Sequence, residues 1–150
     1  MAIINATIAI TSNITSGLSI NKTMTMNKAG SCNGLELSSG LVTRKLTSVT
    51  EVDLVTTGAQ MYGTPTATTS ANKIYIKNTG SSSTDYISVG LGDATGGEEL
   101  DDGTSKITLG KLYGGEWMII PYHGATNVGD VLVAPSTAEA TTIEWMLFFE

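Results

Sequence analysis

Lys73-Ile-Tyr-Ile-Lys-Asn-Thr-Gly80 is the stretch from which the fold can be read. Ile74 and Ile76 fall on one side of an extended backbone, while Lys73, Tyr75 and Lys77 fall on the other. Side chains alternate across a strand with a period of two, so this is the pattern of a half-buried β-strand. It ends at Asn78-Thr-Gly80, and Asn and Gly tolerate the left-handed conformations that a tight turn needs.

The same reading extends towards the C-terminus. Asp85-Tyr-Ile-Ser-Val-Gly-Leu91, Lys106-Ile-Thr-Leu109, Glu116-Trp-Met-Ile-Ile120, Asp130-Val-Leu-Val133 and Thr141-Thr-Ile-Glu-Trp-Met-Leu-Phe-Phe149 are short strand candidates bounded by turn-forming residues. Trp117 to Ile120 and Val131 to Val133 are apolar on both faces, which points to central strands or strands covered by a partner. In the last stretch Ile143, Trp145, Leu147 and Phe149 share one face. Met146 and Phe148 lie on the other, as second-layer core or as a subunit contact.

Towards the N-terminus, Leu35-Glu-Leu37, Leu41-Val-Thr-Arg-Lys-Leu46 and Glu51-Val-Asp-Leu-Val55 are further strands. In the last of these Val52 and Leu54 are expected inside, and Glu51 and Asp53 in water. A Thr-rich segment from Gly58 to Asn72 is expected to connect two sheets. Residues 1–30 are less regular. Thr7 to Thr11 and Thr23 to Met26 alternate in strand period, whereas Ile10, Ile14 and Leu18 sit at helical spacing. Asn5-Ala-Thr, Asn13-Ile-Thr and Asn21-Lys-Thr recur evenly and fit the N-glycosylation sequon, without a secretory signal to place them in a glycosylating compartment.

The expected fold is therefore all-β: an antiparallel, jelly-roll-like β-sandwich over residues 31–150, preceded by an arm or extra strands over 1–30. Closed sandwiches of this kind bury long apolar strands and limit exposed edges. Composition agrees, because only 15% of the 150 residues are charged and hydroxylated residues and glycine fill the difference. With 14 acidic and 8 basic residues the net charge is −6, and no basic stripe is present to neutralise phosphates, which argues against nucleic-acid binding. Cys32 is the single cysteine, so no internal disulfide is possible. No apolar run reaches membrane-spanning length, and synthesis in a cytoplasm is expected.

Few groups invite chemistry. His123 is the only histidine, it follows Pro121-Tyr122, and it reads as a turn residue. One His and one Cys cannot assemble a zinc site within one chain. Asp93, Glu98, Glu99, Asp101 and Asp102 form an acidic loop that departs from the EF-hand pattern and reads as solvated. Gly90-Leu-Gly-Asp-Ala-Thr95 lacks the third glycine of a dinucleotide loop. No catalytic, cofactor or metal residue is assigned, and no enzyme activity is expected.

Several phrases, in order, resemble small structural proteins of tailed bacteriophages: Lys73 to Gly80, Tyr86-Ile-Ser-Val-Gly90, Leu112-Tyr-Gly-Gly-Glu-Trp-Met-Ile-Ile-Pro121, Val131-Leu-Val-Ala134 and a closing Ile143-Glu-Trp145. In such proteins an I-x-N-x-G strand end, a G-G-E turn and a final I-E-W/Y strand frame a β-sandwich. The resemblance covers about half of the chain. It implies a non-enzymatic virion protein, made in the host cytoplasm, that sits on the capsid exterior as cement or decoration. The expected partners are the major capsid protein and further copies of itself, as a homotrimer. The alternative is a tail, fibre or adaptor component that binds glycans through aromatics such as Tyr62, Tyr113 and Tyr122. The residues expected to make oligomer or capsid contacts are Met24, Met26, Trp117, Met146 and Phe148.

Overall fold

The computed structural model describes residues 5–11, 19–26, 37–55, 72–92, 107–122, 130–137 and 141–149. Eleven strands are present among them: β1 (Asn5–Thr11), β2 (Ser19–Thr25), β3 (Leu37–Ser38), β4 (Val42–Leu46), β5 (Val52–Val55), β6 (Asn72–Asn78), β7 (Tyr86–Gly92), β8 (Ile107–Tyr113), β9 (Trp117–Tyr122), β10 (Asp130–Pro135) and β11 (Thr141–Phe149). Where they fall on described residues the expected strands are present, β3 sharing only Leu37 with the expected Leu35 to Leu37, while Leu35, Glu36 and Lys106 lie outside those residues. Of the residues at helical spacing, Ile10 lies in β1, and Ile14 and Leu18 lie outside the described residues.

Every pairing is antiparallel. One sheet runs β5-β10-β7-β8; the other runs β11-β6-β9, with β4 and the short β3 side by side along the outer edge of β11. From β4 to β11 the pairs are nested: β4 with β11, β5 with β10, β6 with β9 and β7 with β8. Four nested hairpin pairs wrapped into two sheets make a jelly roll.

The two inner faces close on one core. Leu54, Val55, Ile87, Val89, Leu112, Val131 and Val133 come from the first sheet, and Leu46, Ile74, Ile76, Tyr122, Ile143 and Leu147 from the second. Trp145, Met118 and Ile120 pack against it from the second sheet. β5 departs from simple alternation, because its register on β10 shifts between Val131 and Leu132. The bulge brings Val55 to the core beside Leu54, so two consecutive residues are buried there.

The two strands that read as apolar on both faces have different explanations. β10 has β5 and β7 on its two edges, and Val131, Leu132 and Val133 are all fully buried, Val131 and Val133 in the core and Leu132 on the opposite face. β9 is an edge strand, so a central place does not account for its second apolar face. Pro121 fits that edge, since proline has no N–H to give to a ladder and an edge strand has one side with no ladder to satisfy.

β1 and β2 form a separate two-stranded ribbon, in register from Asn5↔Thr25 to Thr11↔Ser19. No strand of the sandwich pairs with it. The first 30 residues thus do contain strands, and these lie outside the jelly-roll sheets.

Candidate functional site

Among the described residues, two strand faces each gather several outward-facing apolar side chains, while Leu41, Val49, Ile107 and Leu109 are exposed elsewhere. The larger is the outer face of the five-stranded sheet. Ladder register aligns its side chains in rows across β11, β6 and β9: Glu144, Lys77 and Trp117; then Met146, Tyr75 and Ile119; then Phe148, Lys73 and Pro121. These are the residues left facing outward once Ile143, Trp145, Leu147, Ile74 and Ile76 turn to the core.

Trp117 is held in place by the turn before it. Glu116 N–H donates to the Tyr113 carbonyl at 3.0 Å, and Gly115 has φ +84°, the left-handed geometry a type II turn requires at its third position. Gly114 lies against the 80–82 backbone, where a β-carbon would meet the Ser82 carbonyl oxygen at 2.6 Å. Asn78 joins the two segments. It is buried; its Nδ2 donates to the Leu112 carbonyl at 3.0 Å, and its Oδ1 accepts from Gly80 N–H at 2.9 Å. Gly115 N–H also donates to the Asn78 carbonyl. The Asn78-Thr-Gly80 and Gly114-Gly115-Glu116 phrases are therefore two halves of one junction, which sets where β9 begins.

On the face itself the Tyr75 and Trp117 rings lie 6.2 Å apart between centroids, tilted by 41°. The Tyr75 hydroxyl donates to Glu144 Oε1 at 3.1 Å, and Lys77 Nζ lies 3.6 Å from the same oxygen. Partial burial, then the hydrogen bond and charge of Glu144, raise the Tyr75 hydroxyl above its ordinary pKa. Trp117 remains 45% exposed, so the most aromatic corner of the face is open to solvent. The arrangement is an apolar, aromatic strip with basic groups at Lys73 and Lys77 and a single carboxylate, Glu144, on a protein that is acidic overall.

The smaller surface is on the ribbon. Asn5, Thr7, Ala9, Thr11, Ser19, Asn21, Thr23 and Thr25 share one face, tied by Thr7–Thr23 and Thr25–Asn5 side-chain hydrogen bonds of 2.9 Å each. Ala6, Ile8, Ile10, Ile20, Lys22 and Met24 share the other. Ile8, Ile10, Ile20 and Met24 are between 40% and 46% exposed.

The five residues expected to make contacts are therefore divided. Trp117, Met146 and Phe148 come together on the sheet face, and Met24 lies on the apolar face of the ribbon. Met26, immediately after β2, is buried, so it offers no open surface. Tyr75, Ile119 and Pro121 complete the sheet face and were not assigned to it from sequence. Their outward parity was legible, but the neighbour relation β11-β6-β9 that joins them was not.

Of the aromatics considered for sugar stacking, Tyr122 is in the core, which removes it from that role. Tyr113 is exposed and meets Tyr86 edge-on at 5.5 Å, with Lys111 Nζ 4.3 Å above the Tyr86 ring. Tyr62, Cys32, His123 and the acidic loop at 93–102 lie outside the described residues. Among the described residues no three His, Cys, Asp or Glu side chains are grouped to hold a metal ion, and no helix is long and apolar enough to cross a membrane. No protein family, curated protein or solved structure matches the chain.

Proposed function

We propose that this protein is a non-enzymatic structural component of a tailed-phage particle, bound to the outside of the capsid, where it bridges major capsid subunits as a homotrimer. The observation that carries the reading is the outer face of the five-stranded sheet. On this face Trp117 is exposed and Tyr75, Met146, Phe148 and Ile119 are half-buried, on a jelly roll that has a separate core of its own. Open contiguous apolar patches mark interaction sites, and aromatic residues with Met are enriched where protein surfaces meet. The likeness to phage structural proteins in the Lys73 to Trp145 phrases supports the same reading. A protein that binds only the assembled shell stabilises it by mass action.

The test is co-sedimentation with particles stripped of this protein, using the wild type and a Trp117→Ala/Phe148→Lys variant. The reading requires saturable binding by the wild type, a gain in heat resistance of the refilled particles, and loss of both by the variant. Failure of the wild type to bind heads would remove it.

A second reading rests on the Trp117–Tyr75 pair beside the Glu144–Lys77 ion pair: a tail, fibre or adaptor protein that stacks sugar rings on the same strip. Glycan-array binding that is lost in Trp117→Ala, with no binding to heads, would favour it.

A further inference from the structure

We infer that the apolar face of the β1–β2 ribbon is a contact between copies of this chain, packed against the equivalent ribbon of another copy. The inference rests on the self-association in the proposed function and deepens it by locating one pairwise contact between copies, and it makes no use of capsid binding.

Three observations carry it. First, an isolated two-stranded hairpin is marginally stable at best in water; a third strand or a packed face is what stabilises it. This ribbon pairs with no described strand of the sandwich, and Ile8, Ile10, Ile20 and Met24 are left 40–46% exposed.

Second, the ribbon has two sharply different faces. The hydroxylated face satisfies itself through Thr7–Thr23 and Thr25–Asn5 hydrogen bonds, as a water-facing surface does. The other face presents Ile10 opposite Ile20, Ile8 opposite Lys22, and Ala6 opposite Met24. Stacking two such faces buries the isoleucines and leaves both hydroxylated faces outside, which is how sheets pack in a sandwich. Lys22 lies opposite Ile8 on the edge strand β2, a place from which a lysine can lay its aliphatic stem along apolar surface and keep its ammonium in water.

Third, charge favours a second copy at this place over any other part of the chain. Lys22 and Lys28 are the only charged residues among the first 35, so the remainder carries a net charge of −8 within the total of −6. Two such acidic bodies repel, and like charges brought together at an interface are costly. The described ribbon residues include no acidic group at all, so copies meeting there bring no carboxylates together.

The experiment is light scattering on the purified full chain without capsids, comparing the wild type with Ile10→Lys/Ile20→Lys and with Thr7→Lys/Thr23→Lys on the opposite face. The mass per chain is 15.6 kDa. The expected result is a wild-type mass that is a small multiple of this value, unchanged in the threonine variant and reduced to a single chain in the isoleucine variant. Unchanged near-ultraviolet dichroism and melting of the sandwich would show that the isoleucine variant remains folded. A monomeric wild type overturns the inference, as does an oligomer that survives in the isoleucine variant. A monomer whose head binding is lost through Ile10→Lys/Ile20→Lys also overturns it, and assigns the face to the capsid instead. An oligomer of the expected kind that fails to bind heads leaves the inference standing and removes only the capsid reading.

Discussion

At Gly114 and Gly115 two adjacent glycines are required for different reasons, and substitution separates them. A β-carbon at Gly114 would lie 2.6 to 2.8 Å from backbone atoms of Ser82 and Gly80, none of which can rotate away. Gly114→Ala is expected to cost about 3 kcal/mol or more by overpacking. Gly115 has open space around its β-position and a left-handed φ, so Gly115→Ala is expected to cost about 1–2 kcal/mol through backbone conformation alone. Urea unfolding of the two variants reads the difference directly. Tyr122 gives a second test. Its hydroxyl is buried without a hydrogen-bond partner among the described residues, and burial, followed by the charge of Asp130, pushes its pKa up to about 12. The folded protein thus keeps this proton to a higher pH than the unfolded chain, whose tyrosines titrate at about 10. This contribution is complete below pH about 10 and is lost as pH rises from about 10 towards 12. Tyr122→Phe is expected to raise stability at neutral pH by about 1 kcal/mol, by removing an unsatisfied buried hydroxyl, and to flatten the decline above pH 10. Thermal melts of both proteins between pH 7 and 11.5 check the two parts together.

At the scale of the strand, β6 divides into two faces with two separate consequences. Ile76 is fully buried, aligned between Trp145 and Met118, and Ile76→Ala is expected to cost about 2–5 kcal/mol as lost burial plus cavity. Trp117, on the opposite face of the neighbouring strand, is nearly half exposed. Trp117→Ala is expected to change stability by less than about 1 kcal/mol while abolishing the proposed binding to heads; denaturation and co-sedimentation on one preparation measure both. How much of this was legible in sequence follows from the same two faces. Alternation in Lys73 to Lys77 and in Thr141 to Phe149 states which side chains point inward, because the period of two is a local property of the backbone. It does not state which strand lies beside which. Pairing β6 with both β9 and β11 depends on contacts between residues far apart in the chain, so the Trp117–Tyr75–Met146 strip could not be assembled from the pattern. Bulges are equally silent: the shift that buries Val55 beside Leu54 is set by the register with β10, not by the apolar run itself.

Among the described residues the sandwich's core cluster begins at Leu46, and of those before residue 30 only Met26, just after β2, is buried, so the ribbon strands and the jelly roll are separable in energetic terms. A chain lacking residues 1–25 is expected to unfold cooperatively, with a melting temperature within about 5 °C of the full chain at equal monomer concentration, because the lost strands contribute little buried area to the sandwich. Scanning calorimetry tests this. The nesting of β4 through β11 has a consequence for how each copy is made. The last strand, β11, lies between β4 and β6 and supplies Ile143 and Leu147 to the core. Until residues 141–149 leave the ribosome, β6 lacks one of its two neighbours and the sandwich cannot close. Synthesis at about 5–20 residues per second thus leaves Ile74 and Ile76 open for seconds, in a chain whose contacts are mostly long-range and whose folding is correspondingly slow. This interval before residues 141–149 emerge is the period in which the nascent sandwich is most exposed to aggregation and most in need of a chaperone.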